Sequence, residues 1–171
     1  MKTVTRTKIY LPMAGMILTA ALALPAAAQT QVPFKGTFQG NDTVIPPTLT
    51  QRITGTGTLV GQFSSTTFLT PPTGTGRWIA ANGDTIDTTV VGAAEHVDMA
   101  PCQVMRAQPE DTYAKVTQIH TIIGGTGRFA GVQGSFTLTL YHDITPTVPG
   151  GTVHETCGSY SGTITPPGVA R

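Results

Sequence analysis

The sequence predicts an all-β protein: a single antiparallel β-barrel of about eight strands, with little helix between residues 29 and 171. Three observations predict it. Thr, Val, Gly and Pro dominate this part of the chain, and no long segment repeats apolar residues at helical spacing. Apolar and polar residues instead alternate with a period of two, as on strands that bury one face. Proline-containing breakers then divide the chain into segments of strand length.

The first residues have the layout of a secretory signal peptide. Three basic residues precede an apolar run, and three alanines follow it: Lys2, Arg6 and Lys8, then Ile9–Leu24, then Ala26–Ala28. We therefore expect a signal peptide over 1–28, one barrel domain over 29–171, and a secreted or periplasmic location. No later apolar run is long enough to predict a membrane span in the mature chain.

The charge of the mature chain argues against nucleic acid as a partner. The full sequence has ten Lys and Arg and nine Asp and Glu; loss of three basic residues with 1–28 leaves seven against nine, a net charge of −2. A duplex-DNA binder needs a basic face that replaces phosphate counterions. Here the remaining basic residues are scattered singly, so we expect no nucleic-acid partner.

Cys102 and Cys157 are the two cysteines of the chain. Secretion would expose them to an oxidising compartment, where a disulfide persists, so we predict that they pair. The alternative is two catalytic or metal-binding thiols, but their spacing lacks the close pairs of a zinc site. The bridge would close a loop of 54 intervening residues, which contributes about 4 kcal/mol in the chain-entropy model.

Glycines on the apolar face of the strand patterns favour a barrel over a flat sheet. Within Arg52–Phe63 the alternation places six residues on one face: Ile53, Gly55, Gly57, Leu59, Gly61 and Phe63. Inward glycines indicate a sheet that bends sharply or leaves room inside.

Further strands are predicted at Arg77–Ala81, Asp84–Val91, Tyr113–Ile123, Gly134–His142 and Ser159–Thr165, while Phe63–Leu69 has no clear assignment. Asn82-Gly83 predicts a tight hairpin. The segment Gly92–Thr112 is predicted to be a long irregular excursion at one end of the barrel, in which Glu95 could pair with Arg106.

A glycine-rich stretch, Gly125–Ala130, formally matches the G-x-G-x-x-G/A dinucleotide fingerprint. That motif requires a helix next, whereas "SFTLTLYH" alternates as a strand, so we interpret the stretch as a hairpin. Its turn residues are predicted to be Gly124, Gly125, Gly127, Phe129, Gly131 and Gly134, with the glycines needed for backbone angles or close approach and Phe129 closing a barrel end. "GTGR" plus an aromatic also occurs at Gly74–Trp78, which predicts a second use of the same turn.

The segment "GGTGRFAGVQGSF", Gly124–Phe136, resembles the glycine hairpin shared by dirigent proteins and the allene oxide cyclase-like barrels, including small secreted bacterial members. "PFKGTFQG" and "SYSGTITPPG" are also similar to those secreted members. The resemblance implies a calycin-like, eight-stranded antiparallel barrel whose lumen holds a hydrophobic guest, and a chemistry without metal, nucleotide or other cofactor. It assigns no catalytic residue to this chain.

Candidates for contact with a lumen ligand are His120, His142, Phe136, Leu138 and Tyr160. A plausible hairpin register sets Leu138 opposite His120 and Val116 opposite His142, which separates the two imidazoles by about 13 Å. That distance is too long for one shared metal, and no metal site is predicted. For each histidine the competing interpretation is a partly buried, hydrogen-bonded core residue.

Three functions are compatible with these patterns. The first is non-catalytic binding of a small hydrophobic molecule in the lumen. The second is a dirigent-like or cyclase-like enzyme that guides a reactive intermediate without metal or nucleotide. The third is a structural or partner-binding envelope protein with an exposed apolar surface in place of a cavity.

Overall fold

Eight antiparallel strands form a closed barrel, as the alternating pattern predicts. The structure, a computed structural model, describes residues 30–97, 102, 113–143 and 152–165. The strands are β1 (Val32–Ile45), β2 (Thr48–Gly57), β3 (Gly61–Thr70), β4 (Thr73–Ala80), β5 (Thr85–Val97), β6 (Tyr113–Gly125), β7 (Gly134–Asp143) and β8 (Thr152–Ile164). Each strand pairs with the next along the chain, and β8 pairs with β1. The predicted fold class is confirmed, whereas the predicted signal peptide lies outside the described residues.

One end of the barrel is closed by packed side chains. The β2–β3, β4–β5 and β6–β7 connections meet there, and the last of them contains a single 3₁₀ turn, Gly127–Phe129. Phe129 is fully buried in one core cluster with Val60, Val132 and Ile164. The Arg128 guanidinium donates a hydrogen bond to the Val60 carbonyl at 3.0 Å. We call this the closed end. Within the described part of the chain, no helix has the length and apolarity to cross a membrane.

Five aromatic rings fill the barrel next to the closed end. We call them the aromatic plug: Phe34, Phe63, Trp78, Phe136 and Tyr160. The rings of Phe63 and Trp78 stack with centroids 4.5 Å apart, and the Trp78 and Tyr160 rings meet edge to face at 5.0 Å. Such aromatic pairs add stability beyond the area that they bury. This half of the lumen is therefore packed and not open.

The inward glycines make room for the plug. A Cβ at Gly57 would collide with the Tyr160 hydroxyl. One at Gly162 would collide with the Ser135 carbonyl oxygen and with Cα and Cβ of Phe136 on β7, so Gly162 allows close approach of the two strands. The predicted placement of Gly55 and Gly57 on the inner face is confirmed. Leu59 is not on that face: Thr58–Val60 form a turn, and Leu59 has a φ of 66° there. The alternating pattern Arg52–Phe63 thus comprises the end of β2, a turn and the start of β3, and Phe63–Leu69 belongs to β3.

The glycine hairpin between β6 and β7 is confirmed. Gly127, Gly131 and Gly134 have positive φ values of 55°, 75° and 137°, which favour glycine. Gly125 is needed for close approach, because a Cβ there would lie 2.6 Å from the Phe129 carbonyl oxygen. Gly124 differs from this expectation, since open space surrounds its Cβ position.

The predicted second use of this turn is wrong. Gly74–Trp78 lies within β4, where Trp78 points into the aromatic plug. Arg77 points outward and its Nε lies 2.7 Å from Oδ1 of Asp87 on β5. The hairpin at Asn82-Gly83 is confirmed, with Gly83 at a φ of 87°. A shared tetrapeptide therefore does not imply a shared turn, because strand pairing decides its conformation.

The β5–β6 excursion begins later than its charge pattern predicts. β5 continues to Val97, so Gly92 is a strand residue. Glu95 pairs with Lys115 of β6, Oε1 to Nζ at 2.6 Å. The predicted partner Arg106 lies outside the described residues. The predicted disulfide is confirmed: Cys102 is bonded to Cys157 on β8, with Cα atoms 6.2 Å apart. The bridge fastens this excursion to the outer face of β8.

Candidate functional site

The end of the barrel opposite the closed end holds a small pocket. The β1–β2 and β3–β4 turns, with Pro46-Pro47 and Pro71-Pro72, lie at this end. We call it the open end of the described barrel; the β5–β6 and β7–β8 connections also belong to it, and residues 98–101, 103–112 and 144–151 lie outside the described ranges. The pocket has a volume of about 130 Å³, and we call it the mouth pocket. Its lining is mainly apolar and includes Leu49, Leu69, Pro71, Pro72, Ala93, Val116 and Leu140, together with the polar residues Asp42, Gln118 and His142.

Asp42 and His142 form a hydrogen-bonded pair in this lining. Nδ1 of His142 lies 2.9 Å from Oδ2 of Asp42, and the Asp42 side chain is 1 % exposed. β8 separates the two strands. His142 of β7 is opposite Thr156 of β8, and Thr156 is opposite Gly40 of β1, two residues from Asp42. With Nδ1–H donating to the carboxylate, Nε2 of His142 is left as an acceptor. An imidazole oriented by a carboxylate in this way can accept and return a proton.

A second histidine lies on this wall of the barrel. The His154 ring centroid is 5.5 Å from that of His142, and His154 is opposite Asp42 in the β8–β1 register. Among the residues described, no group of three His, Cys, Asp or Glu side chains has the geometry to hold a metal ion. The Asp42–His142 hydrogen bond and the neighbouring His154 ring place two imidazoles and one carboxyl group on this wall of the barrel.

His120 is buried below the pocket in a hydrogen-bond chain. Its Nδ1 lies 3.0 Å from the Thr88 hydroxyl, and its Nε2 lies 3.2 Å from Oε1 of Gln118. Burial lowers the pKa of His120 to about 3, so the ring is neutral near pH 7. Oε1 is an acceptor only, so Nε2 carries the proton and Nδ1 accepts from Thr88. His120 therefore holds the Gln118 side chain against the mouth pocket.

The structure separates the predicted ligand contacts. His142 lines the mouth pocket. His120 lies deeper, while Phe136, Leu138 and Tyr160 are buried in the core cluster. Burial also raises the pKa of Tyr160, so its phenol stays protonated. For these four residues, contact with a ligand stays a prediction.

The predicted β6–β7 register is wrong by two residues. His120 is opposite Phe136 and not Leu138, and His142 is opposite Ala114 and not Val116. The two histidines are therefore six residues apart along the hairpin, or about 20 Å, and not about 13 Å. A slip of two keeps every side chain on its predicted face, so the alternation could not reveal it.

Asp42 and Gln118 are site residues that the sequence patterns did not predict. Each has the inward parity of its strand: Asp42 follows Phe34 and Phe38 at intervals of four, and Gln118 precedes His120 by two. A polar residue at an inward position of a predicted strand is the sequence signal that indicates such a site residue. For Asp42 it was hidden by "GND", which is typical of a turn.

A larger concavity, about 650 Å³, lies on the outer wall of β2–β6. Its lining includes Arg52, Phe68 and Ile123, together with the Arg77–Asp87 ion pair. Phe68 and Ile123 are exposed at 57 % and 63 %. The mouth pocket is the stronger candidate, because there the buried Asp42 carboxyl, paired with His142, lies next to apolar walls.

The fold and the pocket define an eight-stranded antiparallel barrel with a small apolar site at its open end. The sequence matches no known protein-family profile. It also matches no curated protein. Among solved structures, the chain is similar to a pterocarpan synthase dirigent protein, at 13 % identity and a TM-score of 0.34, over 91 % of this chain and 99 % of the other.

Proposed function

We propose that this protein binds a small molecule with an apolar ring or short chain in the mouth pocket, without chemistry of its own. The observation that carries the proposal is the apolar lining next to the buried Asp42–His142 pair. An apolar cavity of roughly 150 Å³ holds benzene, so the 130 Å³ pocket fits one six-membered ring. The packed aromatic plug confines the ligand to the open half of the barrel.

The size of the pocket sets the affinity that we expect. It is below the range of roughly 300–1,000 Å³ typical of sites for drug-sized ligands. A single ring with few hydrogen bonds should therefore bind with a Kd of about 1 mM, near −4 kcal/mol. Polar groups on the ligand that reach Asp42 or Gln118 would strengthen binding.

Toluene is a suitable first probe, with saturation-transfer NMR and titration of the protein resonances as the readout. Val116 is partly buried and lines the pocket, so Val116→Phe should fill it and abolish toluene binding. Ile119 is on the same strand but faces outward and is 52 % exposed. Ile119→Phe is the matched control and should bind like the wild type. Equal binding by both variants would refute the proposal.

We also propose that the protein works outside the cytoplasm. The Cys102–Cys157 disulfide supports an oxidising compartment. The predicted signal peptide over 1–28 is consistent with that location. N-terminal sequencing of the exported protein, with Gln29 expected as the first residue, tests the proposal. An unprocessed N-terminus on protein retained in the cytoplasm would contradict it.

The second candidate function is dirigent-like or cyclase-like guidance of a reactive intermediate. The Asp42–His142 pair favours it, because a carboxylate-oriented imidazole beside an apolar pocket can move a proton on a bound molecule. Acetophenone in D₂O tests this chemistry. Wild type should accelerate exchange of its methyl protons, and His142→Gln should bind acetophenone without acceleration. If wild type saturated with acetophenone does not accelerate this exchange, the enzymatic function is wrong and binding without chemistry remains the proposed function.

A further inference from the structure

Four buried polar side chains on β1, β2 and β3 have hydrogen-bonding atoms that lack a partner among the described residues. The atoms are Oδ1 of Asp42, Nε2 and Oε1 of Gln51, Oγ of Ser65 and Oγ1 of Thr67. None of these residues is more than 4 % exposed. Buried polar groups are hydrogen-bonded in the great majority of proteins. Two further exceptions among the described residues, Nε1 of Trp78 and the Tyr160 hydroxyl, belong to the aromatic plug. The four on β1, β2 and β3 indicate a place where something else supplies the partners.

The strand register brings these side chains together. Asp42 is directly opposite Gln51, and Gln51 is directly opposite Thr67. Directly opposite residues on one face of a sheet have Cβ atoms about 5 Å apart. Ser65 lies two residues along β3 from Thr67, on the same inward face. We call Asp42, Gln51, Ser65 and Thr67 the polar subsite.

The polar subsite lies immediately below the mouth pocket. Leu49 and Leu69 line the pocket, and each is two residues closer to the open end than Gln51 and Thr67 respectively. Two residues of a strand span about 7 Å. Asp42 belongs to both sites. The other three subsite residues are not in the pocket lining, so a head group on a ring in the pocket would reach the subsite at Asp42, which is next to Gln51 in the strand register.

The unpartnered atoms specify the chemistry of that head group. As a carboxylate, Asp42 offers an acceptor at Oδ1, Oε1 of Gln51 is a second acceptor, and Nε2 of Gln51 is a donor. The hydroxyls of Ser65 and Thr67 can act either way. A planar primary amide has two N–H donors and one carbonyl acceptor. The two donors match the acceptors Oδ1 of Asp42 and Oε1 of Gln51, and the carbonyl matches the donor Nε2 of Gln51.

We propose that the polar subsite binds a neutral, planar primary amide or urea-type head group, while the apolar part of the same ligand occupies the mouth pocket. This inference rests on the proposed binding function. A carboxylate head group has no donor for Oδ1 of Asp42 and would place a second negative charge beside it. An alcohol has one donor, so the second of the two acceptors would depend on the hydroxyl of Ser65 or Thr67 for a partner. Selectivity for the amide follows from this count.

Benzamide is the probe, and toluene is its matched control, because a methyl group replaces the carboxamide on the same ring. In NMR titrations of the wild-type protein, benzamide should bind at least about tenfold more tightly than toluene, since buried hydrogen bonds left unmade are costly. Gln51→Met keeps the side-chain length but removes both polar atoms. It should weaken benzamide binding about tenfold and leave toluene binding unchanged.

A second pair of variants keeps the test decisive if Gln51→Met does not fold. Thr67→Val removes one hydroxyl from the polar subsite, whereas Thr66→Val removes one from the outer face of the same strand. Thr67→Val should weaken benzamide binding, and Thr66→Val should not. The inference is wrong if wild type binds toluene and benzamide equally and all variants bind benzamide alike. In that case water supplies the partners of the polar subsite, and the proposed binding function of the mouth pocket still holds. If neither ligand binds, both proposals are wrong.

Discussion

Nδ1 of His142 lies 2.9 Å from Oδ2 of Asp42, although the two residues are 100 positions apart and on strands separated by β8. Closure of the barrel brings β7 and β1 to either side of β8, and the inward parity of both residues turns them to the same side. The pair is the polar part of the mouth pocket. It also makes the stability of the open end sensitive to either residue.

His142→Ala should lower the free energy of unfolding by about 1–3 kcal/mol, because the buried Asp42 carboxyl loses its hydrogen-bond partner in the described part of the chain. Urea denaturation followed by the fluorescence of Trp78, the single tryptophan, measures it. Lys115→Ala is the control. Its partner Glu95 is exposed, so the change should be much smaller. Equal losses in both variants would contradict a buried pair.

Thr67→Val should raise the free energy of unfolding of the ligand-free protein by about 1 kcal/mol. The variant keeps the shape of the side chain and removes a buried hydroxyl that has no partner in the described structure. Thr66→Val, on the outer face, should stay within about 0.5 kcal/mol of wild type. A destabilised Thr67→Val variant would show that the hydroxyl is already well bonded.

Acid should destabilise the fold through His120. The pKa of its imidazole is about 3 in the folded protein and about 6.5 when unfolded. Between pH 6.5 and 3, His120 therefore binds a proton in the unfolded chain but not in the folded protein. The free energy of unfolding is highest above pH 6.5 and decreases as the pH falls toward 3. From pH 6.5 to 5 the loss is about 2 kcal/mol.

Two measurements test the role of His120. His120→Gln should lose less stability than wild type over the same pH range, in urea titrations at pH 6.5 and 5. The Cε1 proton resonance of His120 should also show no titration between pH 8 and 5. A midpoint near pH 6.5 would show that the ring is accessible to water.

Gly57→Ala should destabilise the barrel by about 1–3 kcal/mol, because the new methyl group would overlap the Tyr160 hydroxyl in the aromatic plug. Gly124→Ala is the control, since its Cβ position is open, and should change stability by no more than about 0.5 kcal/mol. Thermal unfolding of both variants measures the difference. A neutral Gly57→Ala would mean that the plug is loosely packed.

The sequence predicts the barrel well because period-two alternation and proline breakers report which face is buried and where strands end. It predicts the β6–β7 turn because Gly127, Gly131 and Gly134 have backbone angles that favour glycine. It does not predict the turn at Leu59, which adopts a φ of 66° without a glycine, asparagine or aspartate signal. The wrong β6–β7 register has a different cause, since a slip of two leaves all faces unchanged.

The site was harder to predict than the fold. Its residues come from β1, β2, β3, β5, β6 and β7. Their proximity depends on closure of the barrel, which local sequence patterns do not report. His142 was identified because histidine is rare and titratable. Asp42 and Gln51 are polar at inward positions of their strands, and the alternation of apolar residues marks such positions as core and not as site. The packing of Tyr160 and Phe136 into a plug depends on ring volumes across five strands, which no single segment contains.

The most direct test of the mouth pocket is methyl NMR of the mature protein, labelled at Leu and Val, during a titration with toluene. The account predicts shifts at Leu49, Leu69, Val116 and Leu140, which line the pocket. Val91 and Val153, exposed on the outer wall, should not shift. Shifts at the outer residues alone, or at no methyl group up to the solubility of toluene, would contradict a binding site at the open end of the barrel.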